Sequence, residues 1–178
     1  QQDTETPIVL MGYLNPVEVI GYESFVKQAH ASGVDGLILV DLPPEEAQDF
    51  DAILKQYDMD QVFLLAPTST EERIRYVAEH ARGFIYYVSL KGVTGAASLD
   101  TAQAAARIEK IKSMTDLPVG VGFGIRDAAT AKAMGSVADA VIVGTAFVKN
   151  FVSLAPEQAV SLAVNKVKEL RAALDEVV

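Results

Sequence analysis

The sequence contains no cysteine, which excludes a disulfide framework and a thiolate zinc site and fits a reducing compartment such as the cytoplasm. Positive charge is scarce: 15 Lys and Arg stand against 24 Asp and Glu, a formal net charge of −9. So acidic a chain offers no basic surface to nucleic acid or to an anionic membrane. An anionic small molecule would have to be held by local dipoles, and its binding should survive the loss of any single Lys. No apolar run reaches the length of a membrane span, and the opening QQDTETPIVL has no signal-peptide pattern. His30 and His80 each fall late in an expected helix, where a cation favours the dipole, and no spacing of carboxylates suggests a metal site. An initiator methionine is also missing, and the chain enters a strand almost at once. We expect a molecule that is N-terminally incomplete.

What is present is a run of alternating elements. The 178 residues are 50 % hydrophobic and 22 % charged, enough for one buried domain over residues 1–178 and too little for two ordinary ones. Six apolar, β-branched runs recur at Pro7–Tyr13, Val34–Leu42, Gln61–Pro67, Gly83–Ser89, Pro118–Gly124 and Ala138–Gly144. Each is nearly continuous rather than alternating, the pattern of strands buried on both faces. Helical segments lie between them. Asn15-Pro16 is expected to cap and open a helix to about Ser32, and Pro43-Pro44 before Glu45 and Glu46 to open another. Ser69-Thr70-Glu71-Glu72 resembles a capping box, Asp100 can cap a helix through Ile111, and Asp127 one through Met134. A last helix from about Pro156 to Val177 offers Leu162, Val167, Leu170 and Leu174 to the core.

This βαβα order implies a parallel sheet with right-handed crossovers, either an open doubly wound sheet or a TIM (β/α)8 barrel. A dinucleotide site needs G-x-G-x-x-G in the first βα turn and an acid at the end of the next strand. Gly120, Gly122 and Gly124 instead give G-x-G-x-G in the fifth strand, and Asp139 stands at the start of the sixth. The glycines suit a barrel better. Barrel phosphate sites are commonly built by the loops after strands seven and eight and the N-terminus of a short helix. Glycine lets backbone N–H groups approach phosphate oxygens, and Thr145-Ala146-Phe147-Val148-Lys149-Asn150-Phe151 can form the short helix after Gly144. On that numbering the six strands are three to eight of a barrel. The competing reading is that glycines after strands only make turns.

The longest stretch without a pattern, SLKGVTGAASL over residues 89–99, has the place of a lid. With it the sequence resembles a family. YYVSLKGVTG (Tyr86–Gly95), GFGI (Gly122–Ile125) and VGTAFV (Val143–Val148), after PIVLMGYLNP and VDGLILVDLPPEE, are similar to the tryptophan synthase alpha chain over essentially all 178 residues. The resemblance implies a (β/α)8 barrel that splits indole-3-glycerol phosphate into indole and glyceraldehyde 3-phosphate in L-tryptophan biosynthesis. It implies no cofactor in this chain, and a beta-subunit partner carrying pyridoxal phosphate in an alpha2-beta2 assembly.

By residue, the resemblance implies a phosphate site of Gly95, Gly124, Gly144 and Thr145 and an apolar wall of Met11, Ile38, Leu64 and Phe123. Tyr86, expected at its strand's end, and Thr94 would support catalysis, and Asn15 and Pro43, on loops, would face the beta subunit. The family's catalytic glutamate and aspartate belong to the second strand and its loop, upstream of Gln1. No catalytic residue is therefore expected in this chain, which alone should be inactive. Asp41 is the one carboxylate at a strand's C-terminal end; it could be structural, support a neighbouring residue, cap the Pro43 helix, or serve as acid or base in another phosphate barrel such as a sugar-phosphate isomerase or epimerase. A phosphate-binding scaffold without turnover is a further reading. Glu71, Glu72 and Arg73 read as a solvated helix start. Six strands cannot close a barrel of eight, so Pro7–Tyr13 and Ala138–Gly144 should expose strand edges and favour an edge-to-edge dimer.

Overall fold

The computed structural model describes residues 5–88, 101–122 and 124–177. It divides into two compact units, the first made of Gln1–Leu65 with Thr70–Ile85, the second of Ala66–Ser69 with Tyr86–Val178. Thr94, Gly95, Asp100 and Phe123 lie outside the described residues.

The first unit runs β1 (Val9–Gly12), α1 (Leu14–Ile20), α2 (Tyr22–Ala31), β2 (Gly36–Leu39), α3 (Gln48–Gln56), β3 (Asp60–Gln61), β4 (Phe63–Leu65) and α4 (Glu71–His80). β1, β2 and β3 are parallel in that order, with Val9 opposite Gly36, Met11 opposite Ile38 and Leu37 opposite Gln61. β2 is buried throughout, as a strand between two neighbours should be. β1, with β2 as its one neighbour among the described residues, is not: Ile8 is 46 % and Met11 56 % exposed. Beneath the sheet, Val26, Phe50, Leu54, Ile74 and Val77 close the core.

Five sequence expectations change here. The helix expected from Asn15 to Ser32 is two helices, because Gly21 takes φ +87° and turns the chain between them. The capping role assigned to Asn15 also falls, since Asn15 sits inside α1 and Tyr13 precedes that helix. The Pro43-Pro44 stretch makes tight turns, with Glu46 N–H on the Pro43 carbonyl, and helix begins only at Gln48. A proline following Pro43 drives it out of the helical region. The strand expected over Gln61–Pro67 is two short strands. At the break, Val62 N–H goes to the Leu37 carbonyl while the Gln61 carbonyl takes the Arg82 N–H. Thr70 caps α4 by accepting from Arg73 N–H at 3.2 Å, but the third helical residue is that arginine, so no reciprocal box forms.

The second unit contains β5 (Ile85–Val88, all but its first residue), α5 (Thr101–Lys112), β6 (Val119–Gly122), α6 (Ala128–Gly135), β7 (Ala140–Ile142), α7 (Thr145–Ser153) and α8 (Pro156–Asp175). β5, β6 and β7 are neighbours in that order, and β6 and β7 run parallel with Gly120 opposite Ala140 and Gly122 opposite Ile142. β6 is fully buried, whereas Ala140 on the outermost strand is exposed. Tyr87, Ile108, Ile111, Val121 and Met134 fill the core. Asp127 opens α6 as expected, with a reciprocal capping box to Thr130.

In α8 the buried stripe is Ala159, Leu170 and Ala173, while Leu162 and Val167, expected in the core, are 45 % and 54 % exposed. At helical periodicity those two flank the buried stripe on either side. Small residues on the stripe let α8 close on α6, where a Cβ on Gly135 would run into the Leu174 side chain.

Candidate functional site

β6 ends at Gly122, and the chain passes Gly124 at φ +86°, a conformation other residues adopt only with strain. Two residues on, Arg126 turns its backbone N–H to the Thr130 hydroxyl at 3.2 Å, and the Asp127–Thr130 box starts α6. β7 ends at Ile142, and Gly144 stands as the residue before α7, with no side chain capping that helix. Phe147 and Val148 return their N–H groups to the Gly144 carbonyl. The first N–H groups of a helix have no partner within it, and here they belong to Thr145 and Ala146.

These two strand ends enclose a cavity of about 380 Å³ lined by Tyr86, Gly124, Arg126, Gly144, Thr145 and Lys149, with Ile125, Ile142 and Ala146 as apolar walls. Among the described residues no carboxylate lines it. Gly144 is informative because nothing among the described residues demands it. Its φ of −108° suits any residue, and a Cβ there would meet no atom within 4 Å. The missing side chain leaves the cavity wall as bare backbone beside a helix N-terminus, where amide dipoles favour an anion.

Tyr86 stands second in β5 rather than at its end, buried at 7 % exposure, and burial pushes its phenol up from the usual value. Gly122 makes room for it, since a Cβ there would fall on the Tyr86 ring and hydroxyl. A neutral tyrosine is thus wedged between β6 and the cavity.

Thus Tyr86, Gly124, Gly144 and Thr145 share one cavity. Of the apolar wall, Met11 and Ile38 are register partners in the first unit, the former exposed and the latter buried. Leu64 lines a separate hollow of about 270 Å³ in the same unit, with Leu39, Asp41, Pro43, Phe63 and Arg73 among its neighbours. Asn15 is exposed in the first turn of α1 rather than on a loop, and Pro43 is half-buried after β2.

Asp41 is a structural residue, because its Oδ1 accepts the Leu14 N–H at 2.8 Å, the first N–H of α1. It therefore caps that helix from a different strand and leaves the Pro43 stretch uncapped. Arg73, read as solvated, is half-buried and hydrogen-bonds Glu45, and that bond holds the Glu45 carboxyl below its usual value. His30 and His80 lie in the last turns of α2 and α4, where His80 stacks on Tyr76 at 4.2 Å. Among the described residues no cluster of histidines and acids could hold a metal, and no helix is long and apolar enough to cross a membrane.

Sequence reasoning missed Arg126 and Lys149 at the cavity. The available signal was an arginine two residues after G-F-G and a lysine one helical turn after Thr145. It also missed what Asp35 and Asp139 do. Asp35 accepts the Ile8 N–H at 2.7 Å and returns its own N–H to the Ile8 carbonyl at 2.8 Å. Asp139 makes the same pair with Val119, at 2.9 and 3.0 Å, and also takes Lys112 Nζ at 2.7 Å. Burial works to raise the Asp139 carboxyl, but the Lys112 hydrogen bond and the Val119 N–H outweigh it and hold it low.

Residues 1–176 match the family model described as tryptophan synthase alpha chain. The chain is 76 % identical over 178 residues to the tryptophan synthase alpha chain of Acinetobacter baumannii strain ATCC 17978, covering 100 % of itself and 67 % of that protein. It is 55 % identical over 181 residues to the one from Psychrobacter arcticus, covering 98 % of itself and 65 % of the relative. Among solved structures, tryptophan synthase subunit alpha from Legionella pneumophila str. Paris superposes with a TM-score of 0.85 at 36 % identity, over 98 % of this chain and 64 % of that one. The chain thus spans about two thirds of the length of the proteins it matches. Its parallel strands and covering helices are of the TIM (β/α)8 barrel class.

Proposed function

The chain belongs to the tryptophan synthase alpha chain family, and on that premise we propose that it carries the phosphate site of a lyase subunit that splits indole-3-glycerol phosphate into indole and glyceraldehyde 3-phosphate. The observation that carries this reading is the cavity between Gly124 and Gly144. The phosphate would rest against the amides of Gly124, Gly144 and Thr145, with the Thr145 hydroxyl as a further donor and Gly95 completing the cradle. Tyr86, kept neutral by burial, and Thr94 would support the chemistry. Met11, Ile38, Leu64 and Phe123 would serve the indole.

Breaking the carbon–carbon bond needs an acid at indole C3 and a base at the glycerol hydroxyl. Among the described residues no carboxylate lines the cavity, and Asp41 is engaged with Leu14 N–H. The described residues of the cavity therefore bind and orient, and they supply neither the acid nor the base. The subunit has no cofactor of its own and hands indole to a pyridoxal-phosphate beta subunit, docked against Asn15 and Pro43, in the cytoplasm. Incubated with indole-3-glycerol phosphate, this chain should release no indole above background; steady turnover would show that its own carboxylates do the chemistry. In a binding titration Gly144→Val should weaken a phosphate monoester at least about tenfold, because its side chain occupies the anion's approach to the helix amides. Indole itself should bind the variant as it binds the parent; equal losses for both ligands would mean that the fold is damaged.

A further inference from the structure

Backbone dipoles alone do not account for the charge at the cavity. In a chain of net charge −9, two cationic side chains, Arg126 and Lys149, line this one cavity, and among the described residues no carboxylate does. Arg126 is the telling one. Its backbone is fixed, because its N–H donates to the Thr130 hydroxyl and Asp127 next to it is locked into the α6 cap. Its side chain is not held in the same way. It is 68 % exposed, and its Nε stands 3.7 Å from Asp127 Oδ2, an ion pair too long for a hydrogen bond. The Asp127 carboxylate is meanwhile committed to Thr130, whose backbone N–H bond is the main reason its carboxyl stays below the usual value.

We propose that Arg126 is a substrate-binding residue, a guanidinium arm that closes over the phosphate group held by the Gly124 and Gly144 amides and selects for the doubly charged anion. This rests on the phosphate reading of the cavity and adds to it a side-chain charge supplied from the β6–α6 turn. A planar guanidinium donates two parallel hydrogen bonds to phosphate oxygens, whereas an ammonium presents a point charge. Anchored at its backbone and loosely paired at its tip, Arg126 can turn from Asp127 to an incoming anion without unfolding the cap. Being exposed, the contact is screened by salt.

The test is a calorimetric titration of inorganic phosphate into the full chain at ionic strengths of about 20 mM and about 200 mM. Arg126→Gln should weaken phosphate about three- to tenfold at the lower ionic strength, and the difference should shrink towards unity at the higher one. Arg126→Lys should recover part of the loss, and thermal unfolding should be unchanged in both. Arg171→Gln on α8, which removes the same charge from an exposed Arg171–Asp175 pair, should bind as the parent does. Parent-like binding by Arg126→Gln, with binding lost in Gly144→Val, overturns the role of Arg126 and leaves the phosphate cavity standing. Equal losses in Arg126→Gln and Arg171→Gln also overturn it, since net charge alone would then explain the effect. No saturable phosphate binding by the parent chain overturns both readings together.

Discussion

The two units share one device and differ in what they build at its far end. In each, an aspartate just ahead of a strand straps the start of the preceding strand, Asp35 to Ile8 and Asp139 to Val119. The side chain takes a backbone N–H and the aspartate's own N–H goes back to the same residue's carbonyl. At the other end of the strands the resemblance stops. β2 runs into Asp41 and the Pro43-Pro44 turns, whereas the ends of β6 and β7 carry Gly124 and Gly144 around an open cavity. One end of each sheet is thus built for pairing, and the other is free to vary with function, as in barrel enzymes generally.

The comparison is broken or sharpened most strongly at the terminal glycines of β1 and β6. Gly122→Val should cost about 1–3 kcal/mol, because the new side chain falls on the buried Tyr86. Gly12→Val should cost no more than about 0.5 kcal/mol, since a Cβ there meets nothing within 4 Å. Urea unfolding of the two variants decides it; similar costs would mean that the Tyr86 packing is soft.

Next come the straps. Asp139→Ala should cost about 1–3 kcal/mol by stranding the part-buried Val119 N–H. Asp35→Ala strands an exposed N–H, which water can serve, and should cost about 0.5–1 kcal/mol. The reverse order in denaturant midpoints would show that burial does not set the difference.

Acid should act unevenly. Asp127, Asp139, Glu169 and Glu176 in the second unit are all held below their usual values, by the Thr130 N–H, by Lys112 and Val119 N–H against burial, by Lys166 and by Lys132 respectively. In the first unit Glu45 is held low by Arg73. A carboxyl depressed in the folded state stabilises fully above its unfolded value and loses that contribution as pH falls through its folded one. Protection from amide exchange in α6 and α8 should therefore fall below about pH 4 before that in α2 and α3. Salt should blunt the effect at the solvent-exposed pairs. Simultaneous loss in both units would refute this ordering.

The smallest effect concerns association. β1 presents Ile8, Leu10 and Met11 to solvent, and a bare apolar strand invites pairing with a second copy. Sedimentation should show weak dimerisation of this chain, reduced by Leu10→Lys. A monomer at all concentrations would count against edge pairing.

The strand and helix order was legible because nearly unbroken β-branched runs and helix-opening residues are local signals; Asp127 caps α6 as its sequence implies, and Thr70 caps α4 without the reciprocal box. Gly124 and Gly144 were legible as a pair because each follows an apolar run. Less was visible where a residue's partner lies far along the chain. Asp41 reads as a free carboxylate until Leu14 is found 27 residues away, and Arg73 as solvated until Glu45 is found 28 residues away. Leu162 and Val167 look like core residues because hydrophobicity reports what a side chain prefers rather than which helix face meets a neighbour.

The sequence by itself determined the alternation of elements, the positions where a Cβ is withheld and the resemblance to one family, since each depends on residue type at short range. Tertiary structure alone decided that Arg126, Lys149 and two glycines about 20 residues apart line a single cavity, and that two aspartates serve as straps. Parallel strands bring together residues separated by a whole crossover, and no local rule encodes which of them will meet.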